Sequence, residues 1–182
     1  QHVFVQGVTG GNPVDVTPIM RDGVPRSTTF SAGAEFAFSP DSKEIAYTAS
    51  PINTREEAWS TNYDIWIVPL DGRSPRQITT NSAADGCPRY SPDGKYIAYR
   101  AQSTPGFEAD RWQLMLFDRA TAQTRSLTAN FDSRIEEFLW SNDGKLLYFG
   151  AEEKASKPIW SVSPAGNDVK KVFNKATNVS LN

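Results

Sequence analysis

A chain of 182 residues with 38% hydrophobic and 12% aromatic side chains is long and apolar enough to bury a sizeable core, which excludes a disordered segment. Its formal net charge of −2 and pI near 5.5, with cations scattered among anions, speak against a nucleic-acid binder, which carries a basic face. No apolar run approaches the ~20 residues of a membrane helix, so no membrane partner is expected. The start, Gln1-His2-Val3-Phe4-Val5, lacks the charged and then apolar stretch of a signal peptide. The single cysteine, Cys87, cannot close an internal disulfide and leaves the compartment open.

Taken in order, Val3-Phe4-Val5 and Val14-Asp15-Val16-Thr17 read as two strands around a Gly10-Gly11-Asn12 turn, a half-unit spanning 2–17. Residues 18–33 are turn-rich. A longer unit follows over 34–80: strand a at Glu35–Phe38, strand b at Glu44–Ala49, strand c at Asp64–Val68 and strand d at Arg76–Thr79. The same grammar returns over 88–128, with strands at 88–90, 96–100, 112–117 and 124–128, and over 137–173, with strands at 138–140, 146–149, 158–162 and 170–173. Residues 178–182 open a further strand. Helical periodicity is absent.

Each unit carries one tight turn between strands a and b: Ser39-Pro40-Asp41-Ser42-Lys43, Ser91-Pro92-Asp93-Gly94-Lys95 and Ser141-Asn142-Asp143-Gly144-Lys145. The serines fall 52 residues (39 to 91) and 50 residues (91 to 141) apart, a period of propellers and solenoids. Proline presets φ at the second position, aspartate suits the third and glycine accepts a left-handed exit. Four antiparallel strands per repeat, with strands b and c apolar on both faces, describe the blade of a β-propeller. The fold class is therefore all-β, with about three and a half blades forming an open part of a larger ring.

Blade connectivity puts the a–b and c–d turns on one rim and the b–c and d–a connections on the other. The long b–c loops, 50–62 and 101–111, share the second rim, and long loops on a rigid scaffold are where function collects. Glu56 and Glu57 in one loop, and Glu108 and Asp110 in the other, could bind a cationic group such as a peptide α-amine. Solvated charge, or pairing with Arg55 and Arg111, is the alternative. Trp59 and Phe107 either line a cleft there or pack on the blade edge. Asp41, Asp93 and Asp143 are read as turn formers. No Gly-x-Ser-x-Gly elbow, zinc-ligand set or phosphate loop is present, and His2 is the only histidine, so no catalytic residue, metal or cofactor is expected in this chain.

The turns, as in Tyr90-Ser91-Pro92-Asp93-Gly94-Lys95, resemble the WD40-like repeats of TolB-type propellers. The segments Glu57-Ala58-Trp59-Ser60-Thr61-Asn62-Tyr63-Asp64-Ile65-Trp66 and Gly106-Phe107-Glu108-Ala109-Asp110-Arg111-Trp112, with Tyr99-Arg100-Ala101-Gln102, resemble the propeller of the prolyl oligopeptidase family, its acylaminoacyl- and dipeptidyl-peptidase members in particular. That resemblance implies a seven- or eight-bladed propeller capping a C-terminal α/β-hydrolase domain with a Ser-Asp-His triad, which is absent from this chain. It further implies short peptides as substrates, an exported location, and acidic propeller residues that hold the substrate amine. A TolB-like protein-binding scaffold is the competing reading. A sugar lyase would need metal-binding histidines that this chain lacks.

Overall fold

The computed structural model describes residues 2–17, 35–52, 55–166 and 168–173. The expected strand at 178–182 and the stretch 18–33 lie outside them. Regular structure among the described residues is antiparallel sheet, apart from one 3-10 turn at Glu57–Trp59. Strands β1 (Phe4–Val5) and β2 (Val14–Asp15) form a two-stranded ribbon. Three four-stranded sheets follow in simple up-and-down order: β3 (Phe36–Phe38), β4 (Glu44–Ala49), β5 (Asp64–Pro69) and β6 (Arg76–Gln77); β7 (Asp85–Tyr90), β8 (Tyr96–Ala101), β9 (Gln113–Asp118) and β10 (Gln123–Ser126); and β11 (Ile135–Trp140), β12 (Leu147–Ala151), β13 (Ile159–Val162) and β14 (Lys170–Phe173).

The a–b turns are built alike in all three sheets. Ser39, Ser91 and Ser141 each donate their hydroxyl to the aspartate two residues on, at 2.7 Å. The same hydroxyls accept the N–H of Glu44, Tyr96 and Leu146, while each aspartate accepts the N–H of the following lysine. Asp41, Asp93 and Asp143 thus fold their own turns. The left-handed exit falls on Gly94 (φ 71°) and Gly144 (φ 69°), but on Ser42 (φ 57°) in the first copy. Relief of that strain outweighs the added freedom of glycine in the unfolded chain, so Ser42→Gly should stabilise by about 0.5–1 kcal/mol. Chemical denaturation of the two proteins checks it.

A second repeated device identifies the ribbon. Thr79 and Thr128, just past β6 and β10, accept the N–H of Ile65 and Leu114 at 2.9 Å. Thr17 does the same for Val3, also at 2.9 Å. One residue earlier on strand c and two earlier on strand d, side chains pair across the strands: His2 with Asp15, Asp64 with Gln77, Gln113 with Ser126. The ribbon therefore corresponds to strands c and d of a blade. The threonine caps also explain why β6 is shorter than the sequence pattern suggests, because Thr79 leaves the ladder to close β5.

Inner strands β7 and β11 start earlier than expected, at Asp85 and Ile135. Each contains a bulge, between Gly86 and Arg89 and between Ile135 and Glu137, which breaks the alternation that marks a strand in sequence. Cys87 sits in the first bulge with φ 56°.

Sheets stack face to face. Ile45, Tyr47, Trp66 and Val68 pack on Val3, Val5 and Val16 of the ribbon. Ala46, Ile65 and Ile67 meet Ile97, Tyr99 and Phe117 of the next sheet. Ala98, Leu114 and Leu116 in turn meet Phe138, Leu147, Phe149 and Val162. Burial of β4, β5 and β8 on both faces follows, as expected for strands inside a stack.

Candidate functional site

Up-and-down connectivity sends the b–c and d–a connections to one rim, and the hydrogen bonds agree. On this rim Asp85 N–H donates to Tyr63 O and Gln102 N–H to Ala84 O, whereas Arg119 donates to Gly94 O on the opposite rim. The two long b–c loops touch: Gly106 N–H donates to Thr61 Oγ1 at 3.0 Å, and Gly106 needs its φ of 74° to make that bend.

The loop after β8 is organised by Asp110. Its Oδ2 accepts the N–H of Ser103 and Thr104 and the Ser103 hydroxyl, and its Oδ1 accepts the N–H of Arg111. Burial pushes this carboxyl up, but those donors outweigh it and hold Asp110 down at about 2. Gln102 adds two bonds from its amide, to the carbonyls of Glu108 and Asp110. So braced, the loop presents Phe107, 53% exposed, and Glu108, also exposed, whose carboxylate has no partner among the described residues.

In the loop after β4, the 3-10 turn Glu57–Trp59 opens with Trp59 N–H donating to Glu56 O, and Glu56 is exposed. Trp59 is 90% exposed, so neither aromatic is spent on covering a blade edge. Arg111 does not neutralise Glu108; its guanidinium donates to the carbonyls of Ala129 and Phe131 in the neighbouring d–a loop. The structure thus brings the loops of Glu56, Glu57, Glu108 and Asp110 together on one rim, with Asp110 turned to its own loop.

Sequence reasoning missed three polar features on this side of the stack. Glu136 and Glu137, consecutive in the β11 bulge, both pair with Lys157, at 2.8 and 2.9 Å. Arg100, 1% exposed, reaches from β8 to the carbonyls of Ile135 and Glu136 and to Cys87 Sγ, with its guanidinium 4.7 Å from the Trp112 ring centre. Asp64 and Asp85 are buried at the crossing between the first two full sheets. An arginine inside the apolar run of strand b, and acids where the next repeat has Gln113 and Ile135, were the available signals.

No protein-family model matches the sequence. Over 166 residues the chain is 30% identical to dipeptidyl-peptidase 5 of Porphyromonas gingivalis, a match covering 89% of this chain and 24% of that protein. A puromycin-hydrolysing peptidase of Mycobacterium tuberculosis superposes with a TM-score of 0.66 and 18% identity, over 95% of this chain and 27% of its own. TolB of Acinetobacter baumannii gives 0.65 and 19%, over 95% of this chain and 38% of TolB. The fold is therefore that of a partial β-propeller, shared by TolB and by peptidases. Its sequence relatives add a likeness to part of dipeptidyl-peptidase 5. The chain spans about a quarter of the length of the P. gingivalis relative.

Proposed function

We propose that this propeller is the non-catalytic part of a larger serine peptidase, where it gates entry and orients short peptides toward a C-terminal α/β-hydrolase domain. The observation that carries this reading is the joining of the two b–c loops, which sets the Glu108 carboxylate, without a partner among the described residues, and the exposed Trp59 and Phe107 on one rim. A peptide's α-amine titrates near ~8 and is largely cationic at neutral pH. Carboxylates form charge-assisted hydrogen bonds to such a group, shorter and stronger than neutral ones. Glu108, with Glu56 and Glu57 across the loop junction, takes the amine; Asp110 keeps the Glu108 loop in shape; the two rings cover the first side chains. Holding the chain end at a fixed place sets how many residues reach the reacting serine. No cofactor or metal enters this role.

Kinetics of the full-length enzyme test it. Glu108→Gln should lower kcat/KM for a free-amine peptide substrate by about tenfold, mostly through KM, and leave the N-acetylated substrate unchanged, since a charge-assisted bond is worth about 1.5–3 kcal/mol. Equal values for Glu108→Gln and wild type on the free-amine substrate contradict the assignment. The likeness to TolB favours a second reading, in which the same exposed rim binds a protein partner and no hydrolase domain is attached.

A further inference from the structure

At the crossing from the first full sheet to the second, Asp64 opens β5 and Asp85 opens β7, and both are 1% exposed. Backbone pairing fixes them there: Asp85 N–H donates to Tyr63 O at 2.7 Å, beside a parallel bridge between Tyr63 and Ala84. Asp64 is fully hydrogen-bonded, with Thr79 donating to Oδ1 and Gln77 to Oδ2. Asp85 Oδ1 accepts from Asn81, but Oδ2 is buried with no partner among the described residues. The next crossing has the same backbone, Ile135 N–H donating to Trp112 O, with Gln113 and Ile135 in place of the two acids. Sheet architecture therefore does not require carboxyls at this position, and an unpaired oxygen buried there is costly when ionised.

We propose that Asp64 and Asp85 hold at least one proton between them, and that its loss loosens the root of the two long b–c loops, making this rim sensitive to pH. The root is shared. Tyr63 ends the first loop, and Ala84 accepts the N–H of Gln102, whose side chain braces Glu108 and Asp110. The groups facing the pair are Thr79, Gln77, Asn81 and the Tyr99 phenol on β8. Glu35, just before the preceding inner strand, turns its carboxylate to Thr48 and Cys87, and Arg100 points to the opposite face of its sheet.

Burial pushes Asp64 up to about 6 against the pull of Thr79 and Gln77, and burial, reinforced by the Asp64 charge, pushes Asp85 well above the usual carboxylate range. The folded state then binds more protons than the unfolded chain, whose aspartates titrate near 3.8. Stability from this pair is full below that value and is lost as pH rises through about 6 and beyond.

Backbone hydrogen exchange on the full-length protein, corrected for intrinsic rates, tests this at pH 5 and pH 8. Protection in residues 79–86 and 101–112 should fall by about tenfold or more on going to pH 8, one unit of pKa difference being worth tenfold. Residues 147–162 should hold theirs. The D64Q/D85I variant, which copies the next crossing, should show equal protection at both pH values, and Asp85→Asn, which leaves only Asp64 to titrate, should show a smaller loss than wild type. Wild-type protection that does not change with pH, a loss spread equally to 147–162, or a loss that persists in D64Q/D85I overturns the proposal.

Discussion

Arg100→Ala is expected to destabilise the protein by about 3–5 kcal/mol, from buried carbonyls left without a donor and the cavity left by a fully buried side chain. The guanidinium is the tie between the second and third full sheets. It donates at 2.7 Å to Glu136 O and at 3.4 Å to Ile135 O, in the bulge where β11 departs from its ladder. It also reaches Cys87 Sγ and stacks on Trp112. Truncation leaves carbonyls without donors, at about 1–3 kcal/mol for each group stranded away from water, and opens a void beside Trp112. Arg100→Lys should recover only part of the loss, because one ammonium cannot reproduce a planar fork bound to two carbonyls and a ring face. Chemical denaturation followed by tryptophan fluorescence measures both variants. A cost below about 1 kcal/mol for alanine would remove Arg100 from this role, that being the scale of an average point substitution.

Phe149→Ala should cost a similar ~3–5 kcal/mol through a different mechanism, the loss of transfer free energy plus the cavity left behind. Phe149 lies at the centre of the cluster between those two sheets, fully buried among Leu116, Leu127, Ile135 and Leu147, and takes the Phe131 ring edge-on at 5.4 Å. The sheets are held on rigid ladders and cannot collapse into the gap, which places the cost in the upper part of that range. Phe107→Ala, on the exposed rim, should fall within about 0.5 kcal/mol of wild type. The pair of measurements separates core from site: a stability loss at Phe107 comparable to that at Phe149 would mean the loop ring is packed, contrary to its exposure.

The parts of the fold legible in the sequence are those written in local chemistry. Ser-Pro-Asp-Gly encodes its own turn, with the serine, the aspartate and the left-handed residue all acting within six positions of one another. The apolar runs Ile65–Val68 and Ile97–Tyr99 encode strands covered on both sides. What sequence pattern hid is non-local. The bulges that lengthen β7 and β11 depend on partners across the ladder. The aspartate at 110 looked like an open carboxylate because its donors, Ser103 and Thr104, lie seven and six residues upstream in a loop with no regular period. Trp59 and Phe107 left both options open, since a loop aromatic reads the same whether packed or exposed. Asp64 and Asp85 stood out only once the strands were aligned, when Gln113 and Ile135 fell on the same positions.

The most direct test of the central claim is active-site labelling of the native gene product, captured from its source cells with an antibody against this segment. A fluorophosphonate probe reacts with an activated serine, which this account assigns to a hydrolase domain outside this chain. The account predicts a labelled protein much larger than 182 residues, with labelling blocked by a short free-amine peptide. A full-length product that stays unlabelled, with no remainder large enough for a hydrolase domain, would contradict it and leave a protein-binding propeller.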